Sequence, residues 1–324
     1  MRIEDFLRES TKRYGAKTAL VAGRRRLTFA ELDDMSDRMA AALAAQAVEH
    51  GDRVLVFMDN AWETAVSIFA ILKAGAVLIP IDPSASADDL AYVANDSHAA
   101  GLVTQSRLAA AAAKAMAEAP SLRLTVIAGC QGSPEIDGIM RFEDAIAGDA
   151  PPACLKSAGN AFDPAMLVYS SAAMGRAKGA ATIHDKVSAA ATSIAARLGS
   201  TADDVILCAL PIAFDDGLYQ LLTATKVGAT LVLTEQAASP QTIFRLVAEE
   251  GVTALPLAPA MGSIVQEMMH LEPGAFPSLR RLTVATGLPP ADIARLRQLL
   301  LFPGEGGPSA REREAEAEIL VAAE

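Results

Sequence analysis

The stretch with the clearest chemical potential is residues 165–180, which read AMLVYSSAAMGRAKGA. An apolar, β-favouring run ends at Tyr169 and gives way to small residues, then to Gly175 and to Lys178 with Gly179. Small residues allow backbone N–H groups to turn inward and form a nest for an anion. A lysine directly after such a loop reaches a phosphate as a point charge. The sequence therefore predicts a strand, a loop that cradles phosphate, and a second strand.

The spacing of this loop differs from that of the common nucleotide-binding loop, G-x-x-x-x-G-K-[ST]. Lys178 follows Gly175 by three residues, and the residue after the lysine is Gly179 rather than a serine or threonine that would hold a metal ion. From these residues alone, an ordinary tight turn between two strands stays open as the alternative.

Other residues with chemical potential carry weaker signals. Asp215 and Asp216 offer two carboxylates to a metal, although capping of a helix N-terminus explains them better. For His184, a capping role at a helix start and a catalytic role both stay open. The run Arg24–Arg26 is interpreted as a solvated turn. No metal site is predicted. The three cysteines, Cys130, Cys154 and Cys208, do not have the spacing of metal ligands, which favours a cytoplasmic protein with reduced cysteines.

Composition narrows the possible partners. Apolar residues make up 52% of the 324 residues but aromatic residues only 5%, so alanine supplies much of the apolar character and many helices are expected. The formal net charge of −11 argues against nucleic acid or an anionic membrane as the main partner. No apolar run approaches the roughly 20 residues of a membrane span. We therefore expect small-molecule ligands.

Apolar segments alternate with helical patterns along most of the chain. Thr28 and Glu31 form a capping box that starts a helix, and Asn60 is expected to cap the next helix, which carries Trp62 in a packing role. Strands that are apolar throughout and alternate with helices predict parallel sheets covered on both faces. Three divisions are predicted. Residues 1–160 form a first α/β lobe, and residues 161–303 form a second α/β lobe with the phosphate-binding loop. Residues 304–324 form an acidic tail that is an exposed helix or disordered.

The loop resembles the signature Y-T-S-G-[ST]-T-G-x-P-K-G of adenylate-forming enzymes, the AMP-forming family of acyl-CoA synthetases and acid ligases. The residues that match are Tyr169, Ser170, Ser171, Gly175, Lys178 and Gly179. The flanks resemble the family in order and spacing over residues 1–302, including LTFAELDDMSDRMAAAL, GDRVLVFMDNAWETAVSIFAILKAGAVLIPIDPS and DDVILCALPIAFDDGLYQLLTATKVGATLVL.

The resemblance implies a layered αβαβα fold with two parallel or mixed sheets, as in the N-terminal domain of these enzymes, here incomplete at its C-terminus. It also implies ATP-dependent activation of a carboxylic acid to an acyl-AMP, with Mg²⁺, and transfer of the acyl group to coenzyme A or a carrier pantetheine. Phe214 matches a position at the acyl or nucleotide pocket, and Gly287 falls near the adenine-contacting loop. The ATP phosphates would be faced by Ser170, Ser171, Gly175, Lys178 and Gly179.

The sequence departs from the family pattern at three places. Ala172, Ala173 and Met174 replace a glycine and two hydroxyl residues of the loop. A Y-G-x-T-E segment and a C-terminal lysine domain are expected from the family after Phe302, and neither is found. Three hypotheses follow: an active ligase, an inactive truncated relative that binds nucleotide or acid weakly or needs a partner chain for the missing part, and a gene remnant.

Overall fold

The computed structural model describes residues 1–130, 138–148, 159–170, 178–234, 238–257, 261–272, 274–284, 290–301 and 318–321. The strands, in chain order, are β1 (Thr18–Ala22), β2 (Arg25–Thr28), β3 (Arg53–Phe57), β4 (Val77–Ile81), β5 (Gly101–Gln105), β6 (Leu124–Ala128), β7 (Ile139–Arg141), β8 (Pro164–Ser170), β9 (Lys178–Ile183), β10 (Val205–Cys208), β11 (Thr230–Leu233), β12 (Ala254–Leu257), β13 (Arg281–Val284) and β14 (Glu318–Val321). The helices are α1 (Asp5–Tyr14), α2 (Phe29–Ala45), α3 (Trp62–Lys73), α4 (Ala87–Asp96), α5 (Ala109–Glu118), α6 (Phe142–Ala147), α7 (His184–Arg197), α8 (Asp215–Val227), α9 (Pro240–Glu249), α10 (Gly262–Met269) and α11 (Pro290–Leu301).

These strands form two seven-stranded sheets. The first sheet has the order β7-β6-β5-β3-β4-β8-β9, and the second has the order β14-β13-β12-β10-β11-β1-β2. Neighbouring strands are parallel except at one edge of each sheet, where β8 pairs with β9 and β1 pairs with β2 in antiparallel hairpins. The predicted α/β class with parallel or mixed sheets is confirmed.

The two sheets exchange strands across the expected boundary between residues 160 and 161. The first hairpin of the chain, β1–β2, joins the second sheet through β11, and the later hairpin, β8–β9, joins the first sheet through β4. The division into lobes at this point stays a prediction about domains, but strand pairing crosses it in both directions. Each sheet therefore contains strands from both sides of this boundary.

The apolar residues are distributed in layers. One core lies between the sheets and includes Leu20 and Leu231 of the second sheet together with Val54 of the first. A second core covers the outer face of the second sheet against α9, α10 and α11, and a third covers the outer face of the first sheet against α4 and α5. This is the predicted αβαβα layering, which is how parallel strands bury both faces.

Of the two helix caps predicted from the sequence, the structure contains the one at Thr28 and not the one at Asn60. The hydroxyl of Thr28 accepts from the N–H of Glu31, and the Glu31 carboxylate accepts from the N–H of Thr28, so the expected capping box is present. The helix expected to be capped by Asn60 begins instead after Ala61, with no side-chain cap. The Asn60 side chain is used for a tertiary contact described below.

Trp62 packs as expected. Its ring meets the ring of Phe142 edge to face with centroids 5.4 Å apart, and the guanidinium of Arg25 lies 5.1 Å from the indole centroid. These contacts tie α3 to α6 and to the first residue of β2.

The acidic segment 304–324 was expected to be an exposed helix or disordered, which does not hold for Glu318–Val321. These four residues form β14, which pairs in parallel with β13. The run Ile-Leu-Val favours a strand, and pairing satisfies backbone groups that β13 would otherwise leave open at the sheet edge.

Within the described residues, no helix combines the length and the apolar character that crossing a bilayer requires.

Candidate functional site

The carboxyl edges of the two sheets meet at the buried side chain of Asn60. Its Nδ2 donates to the carbonyl oxygens of Leu210 and Thr234, at 2.8 and 3.2 Å, and its Oδ1 accepts from the N–H of Ile212 at 2.9 Å. Asn60 follows β3, whereas its partners follow β10 and β11. Because ligands of parallel α/β sheets bind outside the carboxyl ends of strands, this junction marks the place for a binding site.

The turn between β10 and α8 is held from both sides at this junction. On one side lies Asn60. On the other lies Gly217, where an added Cβ would come within 2.2 Å of the Pro211 carbonyl oxygen and 2.8 Å of the Ile212 nitrogen. Only a glycine permits the first turn of α8 to approach this backbone so closely. The turn ends at Phe214, whose side chain is 50% exposed although it is large and apolar.

The predicted strand, loop and second strand are present as far as the structure describes them. Strands β8 and β9 pair in antiparallel register, with Ser170 opposite Lys178 and Tyr169 opposite Gly179. Since β8 is parallel to β4, this end of the hairpin lies at the carboxyl edge of the first sheet. Lys178 is exposed there. Lys178 therefore lies at an accessible edge of the sheet, and its contact with phosphate stays a prediction.

The remaining residues expected at the phosphates and at adenine fall outside this description. Ser171, Gly175 and Gly287 lie outside the described residues, and for Ser170 only the backbone is described. Their assignment to a site stays a prediction.

Tyr169 and Gly179 form a close cross-strand contact. A Cβ added to Gly179 would lie 3.0 Å from Cζ of Tyr169 and 2.9 Å from Cδ1 of Leu167, so the tyrosine ring lies directly over the glycine. The Tyr169 hydroxyl donates to Oδ2 of Asp96 at 2.7 Å. Burial first, and then the carboxylate of Asp96, raise the pKa of Tyr169. The phenol therefore stays protonated and acts as a donor at neutral pH.

The end of β3 carries a second polar cluster. The Asp59 carboxylate accepts from Nε of Arg107 at 2.6 Å and from side-chain Nε2 of Gln105 at 2.5 Å, and the Asp59 backbone N–H donates to side-chain Oε1 of Gln105 at 3.1 Å. Arg107 also reaches the second carboxylate oxygen, which makes the pair bidentate. These bonds fix the carboxyl ends of β3 and β5 next to Asn60.

Of the two roles left open for His184, capping of the helix does not hold, and no described contact tests the catalytic role. The residue before the helix is Ile183, and His184 is the first residue of α7, buried and with its Nδ1 accepting from the N–H of Ile3 at 3.2 Å. Its Nδ1 lies 3.7 Å from Oε2 of Glu4, which is also buried. Burial and then the cation of Arg2 lower the pKa of His184 to about 4. His184 therefore anchors the first residues of the chain to the end of β9.

Candidate protein ligands for Mg²⁺ do not cluster in the part of the chain that the structure describes. Among the described residues, no three histidine, cysteine, aspartate or glutamate side chains come together as a set of metal ligands. Asp215 and Asp216 lie in the first turn of α8, where Phe214 is the capping residue, so they complement the helix dipole and do not cap it. Burial raises the pKa of the Cys208 thiol to about 12, which excludes it as a thiolate nucleophile at neutral pH.

Comparison with known proteins decides the family. Residues 7–305 match the AMP-binding enzyme family. The chain belongs to this family. The resemblance drawn from the loop and its flanks is confirmed, and the family match covers every strand from β1 to β13 and the site residues from Asn60 to Phe214.

Curated relatives include ligases and peptide synthetases. The chain is 35% identical over 283 residues to a salicyl-AMP ligase / salicyl-S-ArCP synthetase of Mycobacterium tuberculosis, which covers 85% of this chain and 49% of the relative. It is 29% identical over 288 residues to the phosphinothricin tripeptide synthetase PhsC of Streptomyces viridochromogenes, covering 87% of this chain and 24% of the relative. The chain therefore spans half or less of the length of these relatives.

Solved structures agree with this assignment. The apo structure of MbtA from Mycobacterium smegmatis is 30% identical, superposes with a TM-score of 0.79, and is matched over 93% of this chain and 55% of its own. The anthranilate CoA ligase AuaEII, solved with anthranoyl-AMP, has a TM-score of 0.83 over 92% of this chain and 58% of its own, at 23% identity. The second likeness shows the fold alone.

Two site features escaped the sequence reasoning. The bridge by Asn60 joins residues about 150 positions apart, and no local pattern reports such a contact. Gly217 had a usable signal, because an isolated glycine in the first turn of a helical pattern indicates a close backbone approach.

Proposed function

We propose that the chain binds ATP and a carboxylic acid at the joined carboxyl edges of its two sheets and supports formation of an acyl-AMP. In that reaction a carboxylate oxygen bonds to the α-phosphorus of ATP, the bond between the α-phosphorus and the bridging oxygen breaks, and pyrophosphate leaves with the bond electrons. The observation that carries the proposal is the register of Ser170 opposite exposed Lys178 at the carboxyl edge, in a chain of the AMP-binding enzyme family.

Within this proposal the site residues contact either the phosphates of ATP or the carboxylic acid. The Lys178 ammonium neutralises phosphate charge, which lowers the cost of bringing a carboxylate to ATP. Ser170, Ser171, Gly175 and Gly179 line the phosphates. Phe214 offers its exposed ring to the acid, because an apolar ring at a site mouth gains energy by covering a ligand.

The remaining parts of the proposal rest on the family alone. The adenine of ATP lies at Gly287, and Mg²⁺ enters as the counter-ion of ATP. Coenzyme A or a carrier pantetheine accepts the acyl group, and a partner chain supplies the C-terminal part of a ligase.

A second candidate function is binding without turnover. It is favoured by Ala172, Ala173 and Met174, which replace a glycine and two hydroxyl residues of the loop signature. Hydrogen bonds to charged groups are worth about 1.5–3 kcal/mol each, so the loss of two lowers pyrophosphate handling by roughly 10²- to 10⁴-fold. The chain would then hold nucleotide or acid and depend on a partner for chemistry.

Acid-dependent exchange of labelled pyrophosphate into ATP separates the two candidates. Salicylate is the first acid to test, since it is named by the 35% identical relative, followed by other aryl acids and amino acids. Exchange above background that Lys178→Ala abolishes and Lys186→Ala preserves supports acyl-AMP formation. Lys186 is a matched control, because it is an exposed lysine on α7 outside the proposed site. ATP binding without exchange supports the second candidate, and the absence of both binding and exchange contradicts both.

A further inference from the structure

We propose that Asp96 and Tyr169 form a positioning pair that holds the Lys178 end of the β8–β9 hairpin in the orientation that binds phosphate. This inference rests on the proposed function, since it concerns how the same site is organised. It adds two residues that contact no ligand themselves and act through Lys178.

The first observation is the position of Tyr169 in the hairpin. Tyr169 stands opposite Gly179, the residue directly after Lys178, and its ring lies over that glycine. Within the described part of the chain the hairpin is at the edge of the sheet, so β9 pairs there with β8 on one side and with no strand on the other. The tyrosine ring is therefore a restraint on the backbone that carries Lys178, in addition to the strand hydrogen bonds.

The second observation is what holds the ring. The Tyr169 hydroxyl donates to Asp96 at 2.7 Å, and Asp96 is the last residue of α4. This bond connects the edge hairpin to a helix that is packed on the first sheet through Leu90 and Ala94. The ring is thus fixed at both ends, by its backbone in β8 and by its hydroxyl on α4.

The third observation is that Asp96 is poorly placed for the stability of its own helix. A carboxylate in the last turn faces the negative end of the helix dipole, and the last turn of α4 has no basic residue. The carbonyl groups that follow are capped from elsewhere, by the guanidinium of Arg53, which donates to Ser97 and His98 at 2.8 and 2.9 Å. The hydrogen bond from Tyr169 therefore accounts for an aspartate at this position.

The test compares affinities for ATP and for adenosine in the full chain. Tyr169→Phe keeps the ring and removes the hydroxyl, and Asp96→Ala removes the acceptor. Each is expected to weaken ATP binding about fivefold and to leave adenosine binding unchanged, since the pair acts only through the phosphate-facing lysine. Asp96→Asn keeps an acceptor and is expected to recover part of the affinity. Tyr14→Phe is the matched control, because the Tyr14 ring lies over Gly228 in the same manner at another place in the fold.

A double-mutant cycle distinguishes positioning from general stability. In a Lys178→Ala background, Tyr169→Phe is expected to cause no further loss of ATP affinity, because the group that it positions is gone. Additive losses, or equal losses for ATP and adenosine, would overturn the positioning role. If the unaltered chain binds ATP no better than adenosine, the proposed function fails as well. If it binds ATP better and Lys178→Ala weakens this, but Tyr169→Phe does not, the positioning pair alone is wrong.

Discussion

The imidazole of His184 accepts a hydrogen bond from the backbone N–H of Ile3, 3.2 Å away, and this bond joins the start of the chain to the end of β9. The acceptor is Nδ1, so the bond requires a ring that carries no proton on that nitrogen. Glu4 and Arg2 lie beside it in the same buried cluster. The geometry makes the N-terminal attachment sensitive to protonation.

We expect stability to fall on mild acidification because of His184. Burial and Arg2 lower its pKa from 6.5 to about 4 in the folded chain, so the unfolded chain takes up a proton below about pH 6.5 and the folded chain does not until about pH 4. Stability from this residue is therefore complete above pH 6.5 and is lost as the pH falls towards 4. The loss at pH 5 is about 2 kcal/mol, measured as the difference in the free energy of unfolding between pH 7 and pH 5.

The control for this prediction is His184→Asn, which retains an acceptor without a titrating ring and is expected to show a smaller decline. Burial raises the pKa of Glu4, so the folded chain gains stability as Glu4 becomes protonated and partly offsets the histidine. Glu4→Gln is accordingly expected to steepen the decline. Equal slopes for the unaltered chain and His184→Asn would contradict the role of the histidine.

Asn60→Asp is expected to lower the free energy of unfolding by about 3 kcal/mol at neutral pH. The new carboxylate oxygen would face the carbonyl oxygens of Leu210 and Thr234 where an amide N–H₂ now donates. The loss should shrink at low pH, where a protonated aspartic acid can donate again. Chemical denaturation at two pH values measures both effects.

Asn95→Asp is the matched control for Asn60. Its Nδ2 also donates to two carbonyl oxygens, of Ala91 and Glu118, but the side chain is exposed. Water can solvate a carboxylate there, so the expected loss is below about 1 kcal/mol. Similar losses in the free energy of unfolding at the two positions would show that burial of the Asn60 junction does not determine the cost.

Gly217→Ala is expected to displace the turn that carries Phe214. The added methyl group would lie 2.2 Å from the Pro211 carbonyl oxygen, so the backbone has to move, at a cost of about 2–3 kcal/mol. Gly262→Ala is the control, because among the described residues, apart from its chain neighbours and its own helix backbone, no atom lies within 4 Å of a Cβ at that helix start. The control is expected to leave stability unchanged or raise it by up to about 1 kcal/mol, as measured by thermal unfolding.

Phe214→Ala is expected to weaken binding of the carboxylic acid and leave ATP binding and stability nearly unchanged. The ring is half exposed, so its removal costs the fold little, whereas a ligand that covers it loses apolar contact. Titration of the acid in the exchange assay gives the effect, with an expected rise in half-saturating acid of about tenfold. Phe162→Ala, which removes a ring that is 74% exposed before β8, should change neither quantity.

The sequence was sufficient for the features that depend on local pattern. The alternation of strands and helices, the capping box at Thr28 and the strands on either side of residues 171–177 are present in the structure. Each of these depends on residues close together in the chain, where propensity and periodicity apply. The family resemblance added the layered arrangement of the two sheets.

What the sequence did not yield are contacts between distant segments. Asn60 carried the pattern of a helix cap, but its amide is used on backbone groups that arrive 150 residues later. The exchange of the two hairpins between sheets is likewise decided by packing across the whole chain. Glu318–Val321 stands in a tail rich in alanine, glutamate and arginine, and its pairing with the edge of β13 is a contact between distant segments.

The pairing of β1 with β11 has a consequence for synthesis on the ribosome. Leu20 leaves the exit tunnel early, but its partner Leu231 is made only after the whole first sheet has been translated. At typical elongation speeds of about 5–20 residues per second, the first hairpin waits roughly 10 to 40 seconds for its neighbour. During that interval the apolar edge of the hairpin is accessible to chaperones. The second sheet cannot form in the order in which its strands are synthesised, because β1 pairs with β2 alone until β11 is made.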